Sequence, residues 1–249
     1  MESITSRKNE YIRHLRRLAT DGDYRREQGE FLCDGGKLMG EAMACGGSIS
    51  SVLFKVAPDD MPIPEDAARY VAPADLFDYA SPMKNSPGPL FTVRIRACGK
   101  PGRLQRVLVL ENVQDPGNVG TVLRTASAFG VQAVILVGDC ADPYHPKTVR
   151  ASMGAIFRQP VLQLDLPGLE GLLREWDLPL YGAALDPSAR DLRQLDLRRC
   201  AVAIGSEGRG LSMPLLALCR EKILIPMQPG SESLNAAVAA AICMWEMCK

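Results

Sequence analysis

From Arg106 onward the sequence alternates in a way few folds allow. Nearly continuous apolar runs, RVLVL (106–110), AVILVG (133–138), LPLYGAAL (178–185), CAVAIG (200–205) and KILIP (222–226), are separated by stretches of helical spacing. A strand that is apolar on both faces must be covered on both, and helical crossovers between such strands make them parallel. The pattern predicts an α/β fold with a parallel sheet, in which a ligand sits at the carboxyl ends of the strands. The first 97 residues read differently, as a small α/β domain. It has a basic helix at 6–19, strand-like runs GEFLC (29–33), SSVLFKV (50–56) and FTVRIRA (91–97), and helical stretches at Lys37–Ala44 and Pro73–Tyr79. SPMKNSPGP (81–89) is a turn-rich loop and CGKPGR (98–103) the best linker. The expected division is 1–97, a linker at 98–105, and a second domain at 106–249.

Charge gives little away. Lys plus Arg and Asp plus Glu are 29 each, so no global positive field advertises a nucleic acid, and any such contact must be local. The helix at 6–19 offers Arg13, Arg16 and Arg17, which read equally as a solvated face or as an RNA-contacting patch. The first residues lack the apolar core of a signal peptide, and the apolar run Ala236–Trp245 is too short to cross a bilayer. Eight cysteines without a CxxC pair, and only two histidines, argue against a zinc site and for thiols in a reducing compartment. A cytoplasmic protein with no membrane partner and no metal is expected.

Three strand ends carry unusual residues. ENVQDPGNVGTVLRTASAFGV (111–131) joins a strand to a helix whose stripe Val119, Val122, Leu123, Ala126 and Phe129 faces inward, with Gly130 ending it. Asn118 reads as the N-cap, and Arg124 falls off the stripe beside Gly120, Thr121 and Ala128. AIGSEGRGLS (203–212) has glycines in the order G-x-x-G-x-G, which is not the dinucleotide fingerprint, and it lacks the Lys-Ser/Thr of a phosphate loop. Glu207 there repels a pyrophosphate but tolerates a neutral or cationic nucleoside. In ILIPMQPGSESLNAAVAAAICMWEM (223–247), Ser233, Leu234 and Asn235 open a helix of small residues that suits close backbone packing. Each segment alone also reads blandly, as a cap, a surface arginine or a glycine-rich turn.

Together the three resemble the motifs of the SpoU (TrmH) family of RNA ribose 2′-O-methyltransferases, in the SPOUT superfamily. The first is carried by Asn112, Asp115, Pro116, Asn118, Gly120, Arg124, Thr125 and Ala126. The second is carried by Ile204 to Gly208 with Gly210, Leu211 and Ser212, and the third by Ile225 to Met227 with Ser233 to Asn235. RASMGAIFRQPV (150–161) also resembles family sequence. The N-terminal ITSRKN and FLCDGGKLMGEAM resemble the RNA-binding domain that often precedes it, with Asp34 where the family often has Glu.

The resemblance implies a parallel-sheet SPOUT domain with a C-terminal trefoil knot, preceded by a small α/β RNA-binding domain, and a homodimer with the active site at the subunit interface. The implied reaction moves a methyl group from S-adenosylmethionine to a ribose hydroxyl, without a metal. It assigns Arg124 to proton removal or phosphate orientation, and Asn118, Glu207, Ser233 and Asn235 to positioning substrate and loops. Backbone at Gly205, Ile225 and Leu234 holds the adenosine. rRNA is favoured over tRNA as substrate. A non-catalytic RNA-binding or ribosome-assembly factor on the same fold is the alternative from another class.

Overall fold

The computed structural model describes residues 1–56, 62–96, 99, 101–228 and 233–249. It divides into two compact units, one formed by Met1–Ala97 with Tyr144–Phe157, the other by Cys98–Pro143 with Arg158–Lys249.

The first unit carries a five-stranded mixed sheet in the order β1-β4-β3-β5-β2. Its elements are β1 (Glu2–Ser3), α1 (Glu10–Thr20), α2 (Gly22–Gln28), β2 (Glu30–Asp34), α3 (Gly36–Ala44), β3 (Ile49–Phe54), β4 (Ala68–Val71), α4 (Ala74–Ala80) and β5 (Leu90–Arg94). The basic helix starts later than its charge run because Asn9 caps it, its side chain accepting from the Tyr11 amide at 2.8 Å. Ile12, Leu15 and Leu18 of α1 pack with Leu32, Leu53, Leu90 and Phe77 in one core. A buried polar chain crosses the sheet. Tyr11 Oη donates to Ser51 Oγ at 2.9 Å, and Ser51 and Thr92 share a hydrogen bond of 2.7 Å. The 98–103 linker and the end of the 91–97 strand fall partly outside the described residues.

In the second unit, seven strands form a sheet in the order β10-β12-β9-β11-β6-β7-β8. Every neighbouring pair is parallel, as the apolar runs required. The strands are β6 (Arg106–Glu111), β7 (Ala133–Val137), β8 (Val161–Leu164), β9 (Leu180–Ala183), β10 (Arg190–Asp191), β11 (Cys200–Ile204) and β12 (Glu221–Leu224). The edge strands β8 and β10 escape the sequence reading because neither is an apolar run. One face buries Val107, Val109, Ile135 and Ala203 under Leu169, Leu173 and Trp176 of a crossover helix at Leu166–Trp176. On the other face lie α5 (Pro116–Ala128) and a long helix at Ala236–Met247, which pack on each other.

Tyr144–Phe157, which includes a short helix at Pro146–Ala151, groups with the first unit rather than with the chain on either side of it. The reason is aromatic: Phe31 of β2 lies 5.0 Å from the Tyr144 ring and 6.1 Å from the Phe157 ring, centroid to centroid. The expected boundary at 106–249 and the packing differ over this segment.

Candidate functional site

The cap of α5 is Asp115, not Asn118: Asp115 Oδ1 accepts from the Asn118 amide at 2.9 Å, and Pro116 occupies the first turn. The expectation that Asn118 caps the helix is therefore corrected. Proline fits the first helical position because its missing N–H has no partner there, so Asp-Pro sets the start and Asn118 falls inside the first turn. Its side chain is freed for other work. Nδ2 donates to Glu207 Oε1, and Oδ1 accepts from Asn235 Nδ2 at 3.0 Å. Asn235 in turn caps its own helix, its Oδ1 accepting from the amides of Ala237 (3.0 Å) and Val238 (3.3 Å). One residue from each motif thus joins a single hydrogen-bonded cluster.

The loop after β11 is held from beneath by a residue the sequence reading passed over. Glu111, the last residue of β6, is 3% exposed. Its two carboxylate oxygens accept from the Ser212 amide at 2.7 Å and the Ser212 hydroxyl at 2.6 Å. An acid closing an otherwise apolar strand was the available signal. Within the loop, Ser206 and Gly210 form an antiparallel bridge, and a Cβ on Gly205 would lie 2.1 Å from the Gly210 carbonyl carbon. Gly205 is required there by close backbone approach. Asn112, with φ of 55°, ties this end of the sheet to the next strand, accepting from the Asp139 amide at 2.8 Å.

A cavity of about 550 Å³ opens over the carboxyl ends of β9, β11 and β12. Gly205, Ile225 and Leu234, the residues assigned to adenosine, all line it, as do Glu207 and Ser233. Leu211, Leu216 and Ile223 make much of its wall apolar, and Asp186 is a lining acid the sequence reading missed. Asp186 is already paired: Lys222 Nζ contacts its Oδ2 at 2.5 Å, and that ion pair holds the carboxyl well below the usual range. Size, apolar walls and exposed backbone suit a nucleoside-sized ligand.

Arg124 is exposed and makes no hydrogen bond or ion pair among the described residues. It lies six residues beyond Asn118, about 9 Å along the helix axis, and does not line the cavity. In the first unit, Arg13 is exposed. Arg16 Nη1 donates to the Tyr79 carbonyl at 3.2 Å, and Arg17 lies over the Tyr24 ring at 3.7 Å and pairs with Asp21. Among the described residues, no group of three or more His, Cys, Asp and Glu is placed to hold a metal ion, and the cysteines are free thiols. Burial pushes the Cys200 and Cys243 thiols up to about 12.

A parallel α/β sheet with a nucleoside-sized cavity over its strand ends, and an amide–carboxylate cluster on the same loops instead of a phosphate loop, is the architecture of a nucleoside-binding α/β protein with no phosphate loop at this site. The SpoU rRNA Methylase family profile matches residues 105–245, and the chain belongs to that family. It is 32% identical over 251 residues to the 23S rRNA (guanosine(2553)-2′-O)-methyltransferase RlmP of Bacillus subtilis, spanning 99% of each chain. It is 34% identical over 256 residues to an uncharacterized tRNA/rRNA methyltransferase of Synechocystis, spanning 98% of this chain and 92% of that one. The AdoMet-bound rRNA methyltransferase from Sinorhizobium meliloti superposes with a TM-score of 0.88 at 26% identity, over 99% of this chain and 97% of that one. The resemblance read from the three motifs and the family match cover the same part of the chain.

Proposed function

We propose that the protein transfers a methyl group from S-adenosylmethionine to a ribose 2′-hydroxyl of RNA, with rRNA as substrate. The observation that carries this reading is the Asn118–Glu207–Asn235 cluster, which joins all three motifs. Glu207 reaches from it into the wall of the cavity. The name of the Bacillus subtilis relative favours rRNA, while that of the Synechocystis relative gives tRNA and rRNA together.

The donor supplies a methyl group already activated on a sulfonium, so the protein has to bind, orient and remove one proton. Backbone at Gly205, Ile225 and Leu234 holds the adenosine against Leu211 and Leu216, where apolar walls exclude water. Glu207 presents a carboxylate towards a cationic ligand, and Asn118 fixes that carboxylate. Bound there, the donor would supply its methyl group to the ribose oxygen and leave as a neutral thioether, and the hydroxyl proton would pass to solvent. A guanidinium offers donors and no acceptor, so the role of Arg124 is to orient a substrate phosphate and hydroxyl for that step.

Arg124 stands apart from the cluster within one chain, which is why a homodimer belongs to the proposal. Apart from Glu246 the helix at Ala236–Met247 carries only apolar residues, yet Val238 and Trp245 are 47% and 55% exposed. Such a stripe suits a second copy docking along the two helices and completing the site with its Arg124. The knot is proposed on the same basis: β12 lies beside β9, while the chain returns past β11 to pack on α5. The first unit is assigned to holding RNA, with Arg13, Arg16 and Arg17 as phosphate contacts, and the cytoplasm is the proposed location. No helix among the described residues is long and apolar enough to cross a membrane.

The test is methyl transfer from radiolabelled donor to rRNA of a strain lacking the gene, with the product mapped as a ribose methyl group. Label on a base, or on tRNA alone, overturns the reading.

A further inference from the structure

The first unit contains a second cavity, of about 760 Å³, all of whose lining residues belong to that unit. Its floor is apolar, with Leu32, Leu38 and Val149. Four cations line it, Arg16, Lys84, Lys147 and Arg150, against a single acid, Asp34. Lys84, Lys147 and Arg150 make no ion pair or side-chain hydrogen bond among the described residues, and all three are exposed. Arg150 is attracted to Asp34, yet four cations against one acid leave the cleft with local positive charge in a chain whose charges balance at 29 and 29, and its apolar floor calls for an anion with a flat apolar part.

Asp34 adds specificity. Its Oδ2 accepts from Ser81 Oγ at 2.8 Å and its Oδ1 from Ser86 Oγ, so the carboxylate pins the loop at 81–87. Each oxygen retains acceptor capacity. Burial pushes this carboxyl up, a cost that falls when N–H donors reach it. Unpaired bases are read by hydrogen bonds to their edges while phosphates are held by cations. Guanine is the base whose Watson–Crick edge offers two adjacent N–H donors to a carboxylate.

We propose that this cleft binds an unpaired guanine nucleotide of the substrate RNA, its edge on Asp34 and its phosphates on Lys84, Lys147 and Arg150. The site rests on the methyltransferase reading for its RNA, but it lies in the other unit and does no chemistry.

The test uses the full chain carrying Lys147→Gln with Arg150→Gln, both exposed and free of structural hydrogen bonds. RNA affinity by filter binding should fall about tenfold, and the slope of log K against log salt should flatten by about 1.4 for two lost contacts to single-stranded RNA. KM for RNA should rise, with kcat and donor affinity unchanged. In the wild type, GMP should compete with RNA better than UMP, and Asp34→Asn should abolish that preference. Unchanged affinity and salt slope overturn the proposal even if methylation proceeds normally. If the wild type binds RNA through these residues yet methylates nothing, the catalytic reading fails and the cleft stands. Equal competition by GMP and UMP overturns the guanine assignment.

Discussion

Asn118 and Glu207 lie 89 residues apart in sequence and are joined by a hydrogen bond from the asparagine amide to the glutamate carboxylate. The bond spans the ends of adjacent parallel strands, β6 and β11, so sheet register brings the first two motifs together. Asn118→Asp replaces the donor by a second carboxylate facing Glu207. We expect kcat to fall by at least tenfold, with donor affinity changed much less because residue 118 does not line the cavity. Calorimetry beside single-turnover kinetics separates the two quantities, and loss of donor binding alone contradicts the assignment.

Arg124→Ala should leave the melting temperature nearly unchanged, because the side chain is exposed and makes no hydrogen bond or ion pair among the described residues. Methyl transfer should fall by about 10²-fold, the size of loss expected when a reacting group is mispositioned. Lysine should rescue poorly, since it lacks the planar fork that engages a phosphate. A fully active alanine variant removes Arg124 from the site.

Gly205→Ala should abolish donor binding. The added Cβ runs into the Gly210–Leu211 peptide, 2.1 Å from its carbonyl carbon, 2.2 Å from its oxygen and 2.4 Å from its nitrogen, and backbone cannot swing away as a side chain can. The loop must open, and the cavity wall with it. Unchanged affinity by calorimetry counts against placing the adenosine there.

Glu111→Ala leaves the Ser212 amide without its acceptor in a buried setting, which costs about 1–3 kcal/mol. The loop from 205 to 212 should loosen, so donor affinity falls even though Glu111 does not line the cavity. Urea unfolding measures the first effect and calorimetry the second. An effect on stability with no effect on affinity restricts Glu111 to packing.

Glu30 sets a pH dependence in the first unit. A hydrogen bond from His14, 3.3 Å away, is the main cause that holds its carboxyl below the ordinary 4.5. A carboxyl depressed in the fold contributes stability above its unfolded value, and that contribution is lost as pH falls through the folded value. Glu30→Gln should therefore cost about 1 kcal/mol at neutral pH and progressively less below about 4.5. Equal destabilisation at pH 7 and pH 3 assigns the effect to packing instead.

The central strands of the second sheet were legible because each is a run of apolar residues with no polar face, while β8 and β10 were not, since edge strands need no such run. Gly205, Ile225 and Leu234 were placed through motif resemblance, and all three line one cavity. The role of Asn118 as a cap was misread because Asp115 and Asn118 both suit that position, and local sequence cannot choose between them. Glu111 was missed for a different reason. Its partner Ser212 is 101 residues away, and only strand pairing makes them neighbours. The grouping of Tyr144–Phe157 with the first unit rests on contacts with Phe31, which periodicity does not encode.

The helix at Ala236–Met247 carries Asn235 as its cap and packs along α5, so the bond from Asn235 to Asn118, 117 positions apart in sequence, depends on a seam between two helices. Sliding one helix along the other would part the two amides while every strand of the sheet kept its register. The seam therefore sets the alignment of the site, and a change of side chain within it is felt at the strand ends.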